Sequence, residues 1–302
     1  MQNAQPYIHI IRICYMKLGM HFRKLFPLLL LLTVSMSSFM PLEGPQKAIT
    51  WTAIGDSFTF LNDHLEESEN RVEKGWITRT TELVPGLTYI NKGQNYLTSV
   101  EIAYKIDDLD LKPSDIYTIF LGTNDWWLGV KPGTLEDYTN NTGIGTLNGA
   151  FRVIIDKFRS LNPKAHIILL TPMQRGDFVY IRNHNFNSWG SYKDQEGQSL
   201  VSFVNAVKAI GQADNLEVVD LYTEPRLEIS QAVKFKYLRD PLTGQYKEYT
   251  YPDYTRIPFT VGDKYPYPVE AMDVTYDGIH PSDKGGAIIA GLLAKVISNI
   301  QF

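Results

Sequence analysis

Five apolar runs separated by stretches of helical spacing restrict the fold of this chain more than any other feature. The runs are Ile49–Ile54, Leu87–Asn91, Ile116–Leu121, Ala165–Leu170 and Leu216–Asp220. The third is nearly continuous rather than alternating, the mark of a strand buried on both faces. Strands buried on both faces belong to parallel sheets, and parallel neighbours need helical crossovers. The spacing predicts helices over Gly75–Val84, Val100–Ile106, Leu147–Leu161, Ser199–Ala213 and Ser282–Ile300. Local signals agree with these limits. Pro85-Gly86 ends the first helix, Thr98 or Ser99 can cap the second, and Asn162-Pro163 stops the third. The expected fold is therefore α/β, with one parallel sheet covered by helices on both faces. In such sheets ligands bind along the edge where the strands' carboxyl ends lie.

Three loops at that edge carry notable residues. Gly55-Asp56-Ser57 follows the first run, Gly93 the second, and Gly122-Thr-Asn124-Asp125 the third. Near the far end, Asp277-Gly-Ile-His280-Pro281 precedes the closing helix and can reach the same edge. A serine, a histidine and an aspartate are the parts of a nucleophilic hydrolase. Ser57 would attack a carbonyl, His280 would carry the proton, and Asp277 would hold the imidazole. The backbone N–H groups of Ser57 and Gly93 and the side-chain amide of Asn124 could bind the oxyanion. One such donor is worth ~10²–10³ in rate. A glycine at 93 would let the substrate oxygen approach a bare backbone.

Taken singly these motifs are weak. Ser57 could be a turn or capping serine, and Asn124 a turn former. All four in order are specific. Asp56 and Asp125 read as loop-holding residues and His166 as structural. His64 and His184 lack metal-ligand spacing. No Gly-x-Ser-x-Gly elbow is present, which disfavours the α/β-hydrolase fold.

The four blocks resemble those of the SGNH (GDSL-type) hydrolase family, in the family's order, over roughly residues 48–298. The resemblance implies a three-layer α/β/α sandwich with a flavodoxin-like parallel sheet. It implies Ser57 as nucleophile, Gly93 and Asn124 as oxyanion donors, and His280 with Asp277 completing the triad, with no metal or organic cofactor. Two positions depart from the pattern. Phe58 replaces the usual leucine, and Tyr96 stands where family members often have a second glycine. The second departure leaves the shape of the loop after Gly93 open.

Residues 1–40 read as an upstream segment and signal peptide. Arg23 and Lys24 precede the apolar core Leu25–Val34, and Ser35, Ser37 and Ser38 suit a signal peptidase. The core falls short of the ~20 residues that a membrane span needs. An N-terminal anchor or a buried helix is the alternative reading. Met16 and Met20 are candidate starts. Export to the periplasm or medium is expected, with the mature chain starting near residue 38–45 and a hydrolase domain over 45–302. The single cysteine, Cys14, would be lost with the leader, which leaves no disulfide, thiolate nucleophile or cysteine metal site. With 302 residues, 44% hydrophobic, the chain suits one large domain or two small ones. A net charge of −4 with no basic excess points away from nucleic acid.

One segment interrupts the strand–helix alternation. Residues 225–270 carry Tyr237, Tyr246, Tyr249, Tyr251, Tyr254, Phe259, Tyr265 and Tyr267 around an Asp240–Gly244 turn. A hairpin beside the site's mouth is expected. Its tyrosines either pack for stability or offer a platform to a sugar. The expected function is an exported serine esterase acting on acyl esters, with O-acetyl groups on carbohydrate favoured. A lipase or lysophospholipase-type esterase is the alternative enzyme. A glycan-binding protein without turnover is the alternative outside enzymes. The expected partner is a small-molecule or glycan ester, with no membrane span in the mature form.

Overall fold

The computed structural model describes residues 48–257 and 259–302; the expectations for residues 1–40 lie outside them. In chain order the elements are β1 (Ile49–Gly55), α1 (Ser57–Phe60), α2 (Trp76–Leu83), β2 (Leu87–Gly93), α3 (Ser99–Tyr104) and β3 (Ile116–Phe120). Then come α4 (Thr123–Trp127), α5 (Leu135–Thr139), α6 (Leu147–Leu161), β4 (His166–Leu170), β5 (Phe178–Val179) and β6 (Asn187–Ser188). The last are α7 (Leu200–Asp214), β7 (Glu217–Val219), β8 (Lys236–Arg239), β9 (Tyr246–Tyr249) and α8 (Asp283–Ile297).

Five strands form one parallel sheet in the order β2-β1-β3-β4-β7. Counting only these strands, the order is the flavodoxin-like 2-1-3-4-5. β1 therefore lies between β2 and β3, where the winding changes direction. Side chains alternate across the sheet with the two-residue strand period. Trp51, Ala53, Phe120, Ile168 and Leu170 face the layer that contains α2 and α8. Ile54, Tyr117, Ile119, Ile167 and Leu169 face the layer built from α3, α6 and α7. On α6, Phe151, Ile154, Ile155 and Phe158 form the buried stripe expected from 3.6-residue spacing. The indole N–H groups in the first layer are satisfied, since Trp51 Nε1 donates to Thr118 Oγ1 at 3.0 Å and Trp76 Nε1 to the Phe58 carbonyl at 2.8 Å.

Helix starts follow local chemistry. Thr98 and Glu101 form a capping box on α3, and Ser282 Oγ accepts the Gly285 N–H of α8 at 3.3 Å. Two polar segments outside the expected strands and helices contain regular structure. In residues 58–75 the chain makes α1 and two 3₁₀ turns, with Asn62 buried as the cap of α2. Its Oδ1 accepts the N–H groups of Ile77 and Thr78 at 2.9 and 3.1 Å. The 137–145 loop begins inside α5, which a Thr134–Asp137 capping box starts.

The tyrosine-rich insertion is a packed cover, one of the two expected alternatives. β8 and β9 pair as a hairpin, and Asp240 Oδ1 accepts from Leu242 and Thr243 N–H in its turn. Tyr254 and Tyr267 are buried in a small second core with Val179, Val233 and Leu238. Lys236 Nζ pairs with Asp177 Oδ2 at 3.0 Å and lies 4.5 Å from the Tyr254 ring centroid. Tyr192 OH donates to Asp177 Oδ1 at 2.6 Å. The insertion thus braces the 174–192 stretch at Asp177. Among the described residues no helix is long and apolar enough to cross a membrane.

Candidate active site

Ser57 opens α1 directly after β1. Asp56 caps that helix, its Oδ1 accepting the Phe58 N–H at 3.0 Å. The turn between a strand end and a helix start holds the Ser57 hydroxyl at the sheet's carboxyl edge. Asp277 and His280 come from the loop before α8. Gly278, at φ +91°, lets this loop double back, and a Cβ there would meet the Asp177 carbonyl oxygen at 2.2 Å.

The loop brings the three polar side chains into one line. His280 Nε2 lies 2.9 Å from Ser57 Oγ, and His280 Nδ1 lies 2.6 Å from Asp277 Oδ2. The other Asp277 oxygen accepts the backbone N–H groups of Ile279 and His280 at 3.0 and 2.7 Å. All three residues are buried. With its proton on Nδ1, the imidazole donates to the carboxylate and accepts the serine hydroxyl at Nε2. Its ring is boxed by Phe58, Phe178 and Tyr276, at centroid distances of 5.5, 5.4 and 5.9 Å.

Ser57 and His280 line a cavity of about 390 Å³, together with Asn124. Asn124 Nδ2 donates to the Leu97 carbonyl at 3.1 Å, which leaves its second amide proton for the cavity. Asp277 stands behind His280, and Gly93 is the predicted oxyanion donor that does not line the cavity. It ends β2 beside Gly55, and its N–H already donates to Asn91 Oδ1 at 2.8 Å. The residue is glycine because α1 lies against it: a Cβ would meet the Phe60 nitrogen at 2.2 Å. From this loop it is Asn95 and Tyr96, further along, that line the cavity.

Trp127, Phe178, Tyr180 and Phe186 complete an aromatic wall with Tyr96, and Asn183 adds an amide. Apart from Tyr96, sequence reasoning did not single these out, although Phe178–Phe186 sit in the aromatic stretch after β4, and every connection after a sheet strand shares this edge. The tyrosines of 225–270 do not line the cavity. Asp56 and Asp125 hold loops, as expected: Asp125 accepts the Ser99 N–H at 3.0 Å and also its hydroxyl. Burial pushes the Asp56 carboxyl up to about 7 and that of Asp125 to about 6. Arg175 is fully buried under the site. Its Nη2 donates to Ser188 Oγ, its guanidinium lies 5.6 Å from the Trp126 ring centroid, and burial pulls it down to about 10. Among the described residues no cluster of three or more His, Cys, Asp or Glu could hold a metal ion.

Residues 53–288 match the model of the GDSL-like lipase/acylhydrolase family. A possible lipase from Chitinophaga pinensis is 53% identical, with a TM-score of 0.82 over 83% of this chain and 98% of that one. A protein from Lactobacillus plantarum has a TM-score of 0.51 at 14% identity, covering 85% of this chain and all of its own, a likeness of fold alone. An acetylxylan esterase from Geobacillus stearothermophilus has a TM-score of 0.46 at 16% identity over 85% of this chain and 97% of its own, too distant to bear on substrate. No match was found among curated proteins. With a family model matched over most of its length and its sheet wound in the expected order, the chain belongs to the GDSL-like lipase/acylhydrolase family and is a carboxylic ester hydrolase.

Proposed function

We propose that this ester hydrolase removes short acyl groups, foremost O-acetyl groups on carbohydrate, through an acyl-serine intermediate. The carrying observation is the unbroken line from Asp277 Oδ2 through His280 to Ser57 Oγ, at 2.6 and 2.9 Å, on the floor of the cavity. Ser57 Oγ attacks the ester carbonyl and passes its proton to His280 Nε2. The oxyanion forms against the Ser57 N–H, the Asn124 amide and the N–H of Tyr96, which takes the part first expected of Gly93. No hydrogen bond among the described residues uses the Tyr96 N–H. His280 then gives its proton to the leaving alcohol oxygen, and the C–O bond breaks to leave acyl-Ser57. Water attacks the acyl-enzyme, with His280 taking its proton and returning it to Ser57 as the acid leaves. Asp277 stabilises the imidazolium at both stages.

The lining supports a carbohydrate ester over a lipid. Five aromatic rings and three asparagine amides meet there, and Ile279 is the lone aliphatic side chain among the lining residues. Rings offer flat apolar faces and amides fix orientation, which suits a ligand with alternating C–H and hydroxyl groups. A long acyl chain calls for an aliphatic groove. The reading includes export, on the strength of residues 20–38.

The test is an ester series, p-nitrophenyl acetate to octanoate, with acetate release from acetylated polysaccharides, for wild type and Ser57→Ala. Wild type is expected to favour acetate and to release acetate from at least one polysaccharide, and Ser57→Ala to lose ~10⁴-fold or more in kcat. Preference for long chains would favour the lipid-type reading. Glycan binding without turnover of any ester would leave a binding protein.

A further inference from the structure

We propose that the ring of Tyr96 is the acyl-end wall of the cavity and confines the site to short acyl chains. The inference rests on the ester-hydrolase reading above and adds to it the residue that sets acyl length.

The first observation is a backbone that works against its own side chain. Tyr96 has φ +69°. The other described non-glycine residues at positive φ are Asn, Asp or Glu: Glu69, Asn70, Asp110, Asn141, Glu196 and Asn215. Asparagine and aspartate tolerate this region, whereas a bulky aromatic there is an outlier, and glycine would adopt it without steric cost. The strain is not offset by burial, since the Tyr96 side chain is 45% exposed. Nor does its hydroxyl hold the loop, which is fixed instead by Leu97 N–H to the Gln94 carbonyl at 3.3 Å and by Asn124 Nδ2 to the Leu97 carbonyl at 3.1 Å. Strain kept at such a position, beside a nucleophile, points to what the side chain does there.

The second observation is where the ring stands. Its centroid lies 5.7 Å from that of Trp127, edge to face, and 5.9 Å from that of Phe186. Trp127 and Phe186 are themselves 5.2 Å apart, so three rings from three separate segments close on one another. Together they join the loop after β2, the end of α4 and the loop after β4.

The third step is the geometry of attack. An ester carbon bonded to Ser57 Oγ has three other substituents. The oxygen anion faces Asn124 and the Tyr96 N–H. The leaving oxygen must face His280 Nε2, whose ring is flanked by Phe178 at 5.4 Å, with Ile279 as its chain neighbour. In the proposed pose the alcohol half leaves along Phe178 and Tyr180, whose rings meet the far side of the cluster at Phe186, 6.2 and 6.4 Å away. The acyl substituent takes the remaining direction, toward the three-ring cluster. In this pose the rings would leave room for an acetyl group and turn back a long chain.

Three variants separate the ring from the backbone. Tyr96→Gly removes the ring and relieves φ, Tyr96→Ala removes the ring and keeps the strained φ, and Tyr96→Phe keeps the ring. The readout is the ratio of kcat/KM for p-nitrophenyl octanoate to that for the acetate. We expect the ratio to rise about tenfold or more in the Gly and Ala variants, the scale of a relieved pocket clash. The Phe variant should stay within about threefold of wild type. Thermal melts should place Gly above Ala, because only Gly relieves the backbone. An unchanged ratio in both truncated variants, with wild type turning over acetate, overturns the wall alone. Wild type turning over no ester overturns the hydrolase reading and the wall with it.

Discussion

Replacing Asp277 by asparagine is the sharpest test of the Ser57–His280–Asp277 line, because the two oxygens of Asp277 have separate tasks. Oδ1 accepts two backbone N–H groups, at 3.0 and 2.7 Å, and so fixes the loop. Oδ2 faces His280 Nδ1 at 2.6 Å and so fixes the tautomer. In Asp277→Asn the amide oxygen can keep both backbone bonds, which turns the NH₂ group toward Nδ1. The imidazole must then accept at Nδ1 and carry its proton on Nε2. A donor rather than a lone pair would face Ser57 Oγ, and the hydroxyl proton would have nowhere to go. A wrong tautomer of this kind costs ~10⁴ in kcat, or about 5.5 kcal/mol of barrier at 1.36 kcal/mol per decade. The fold should hardly notice, because both buried N–H groups keep an acceptor. Asp277→Ala differs, since it orphans those two donors at about 1–3 kcal/mol each. The assay pairs kcat for p-nitrophenyl acetate across pH 6–9 with a thermal melt. The Asn variant should melt close to wild type, lose activity about 10⁴-fold, and gain nothing from higher pH, because a tautomer is at fault and not a protonation state. A variant that melts normally and keeps activity within about tenfold would refute the tautomer argument and with it the role of Asp277.

Burial raises Asp56 from 3.8 to about 7, so its contribution to stability is fully present below the unfolded value and is lost as pH rises through the folded one. The gap of about 3 pH units corresponds to about 4 kcal/mol. Asp56→Asn keeps an acceptor for the Phe58 N–H without titrating. Urea unfolding at pH 4.5, 6 and 8 should show a flatter pH dependence in Asp56→Asn than in wild type and a gain in stability at pH 8; parallel curves would overturn the assignment. For export, protein recovered outside the cytoplasm should begin between residues 38 and 45 by N-terminal sequencing. Retention in the cytoplasm with the first 40 residues intact would overturn that reading.

The fold was legible because burial on both faces leaves a strong trace. Ile116–Leu121 and Ala165–Leu170 are apolar enough to be central strands, and the helices between them carry a 3.6-residue stripe that the structure buries, as at Phe151, Ile154, Ile155 and Phe158 on α6. The shared position of Ser57 and Asn124 at one cavity was legible for a topological reason: residues that follow parallel strands share one edge whatever the rest of the chain does. Gly93 shows the limit of that reasoning. Its place after the second strand was right, but a glycine can serve a substrate or a neighbouring helix equally well. Only the packing of α1 against it, at the Phe60 nitrogen, decides which.

The tyrosine-rich insertion shows a different limit, since composition cannot tell a packed ring from an offered one. Tyr254 and Tyr267 are core residues, yet the insertion still bears on the site. Lys236 on β8 holds Asp177, and Asp177 directly precedes Phe178 at the cavity wall. Tyr267 OH bonds the Asp177 carbonyl, and Tyr192 OH bonds its carboxylate, so the loop is clamped through both its main chain and its side chain. An ion pair this buried is costly to break and adds little net stability over an apolar pair, so its value lies in fixing one arrangement. Ser57 and Asn124 follow strands β1 and β3 of the sheet, and Asp277 and His280 lie in the loop that leads into α8, so the fold itself sets them. Phe178, Tyr180 and Phe186, which line the cavity, sit on a stretch that the β8–β9 hairpin clamps at Asp177. Substrate preference can therefore change through contacts at Lys236 that never touch a ligand, while the line from Asp277 to Ser57 stays as it is.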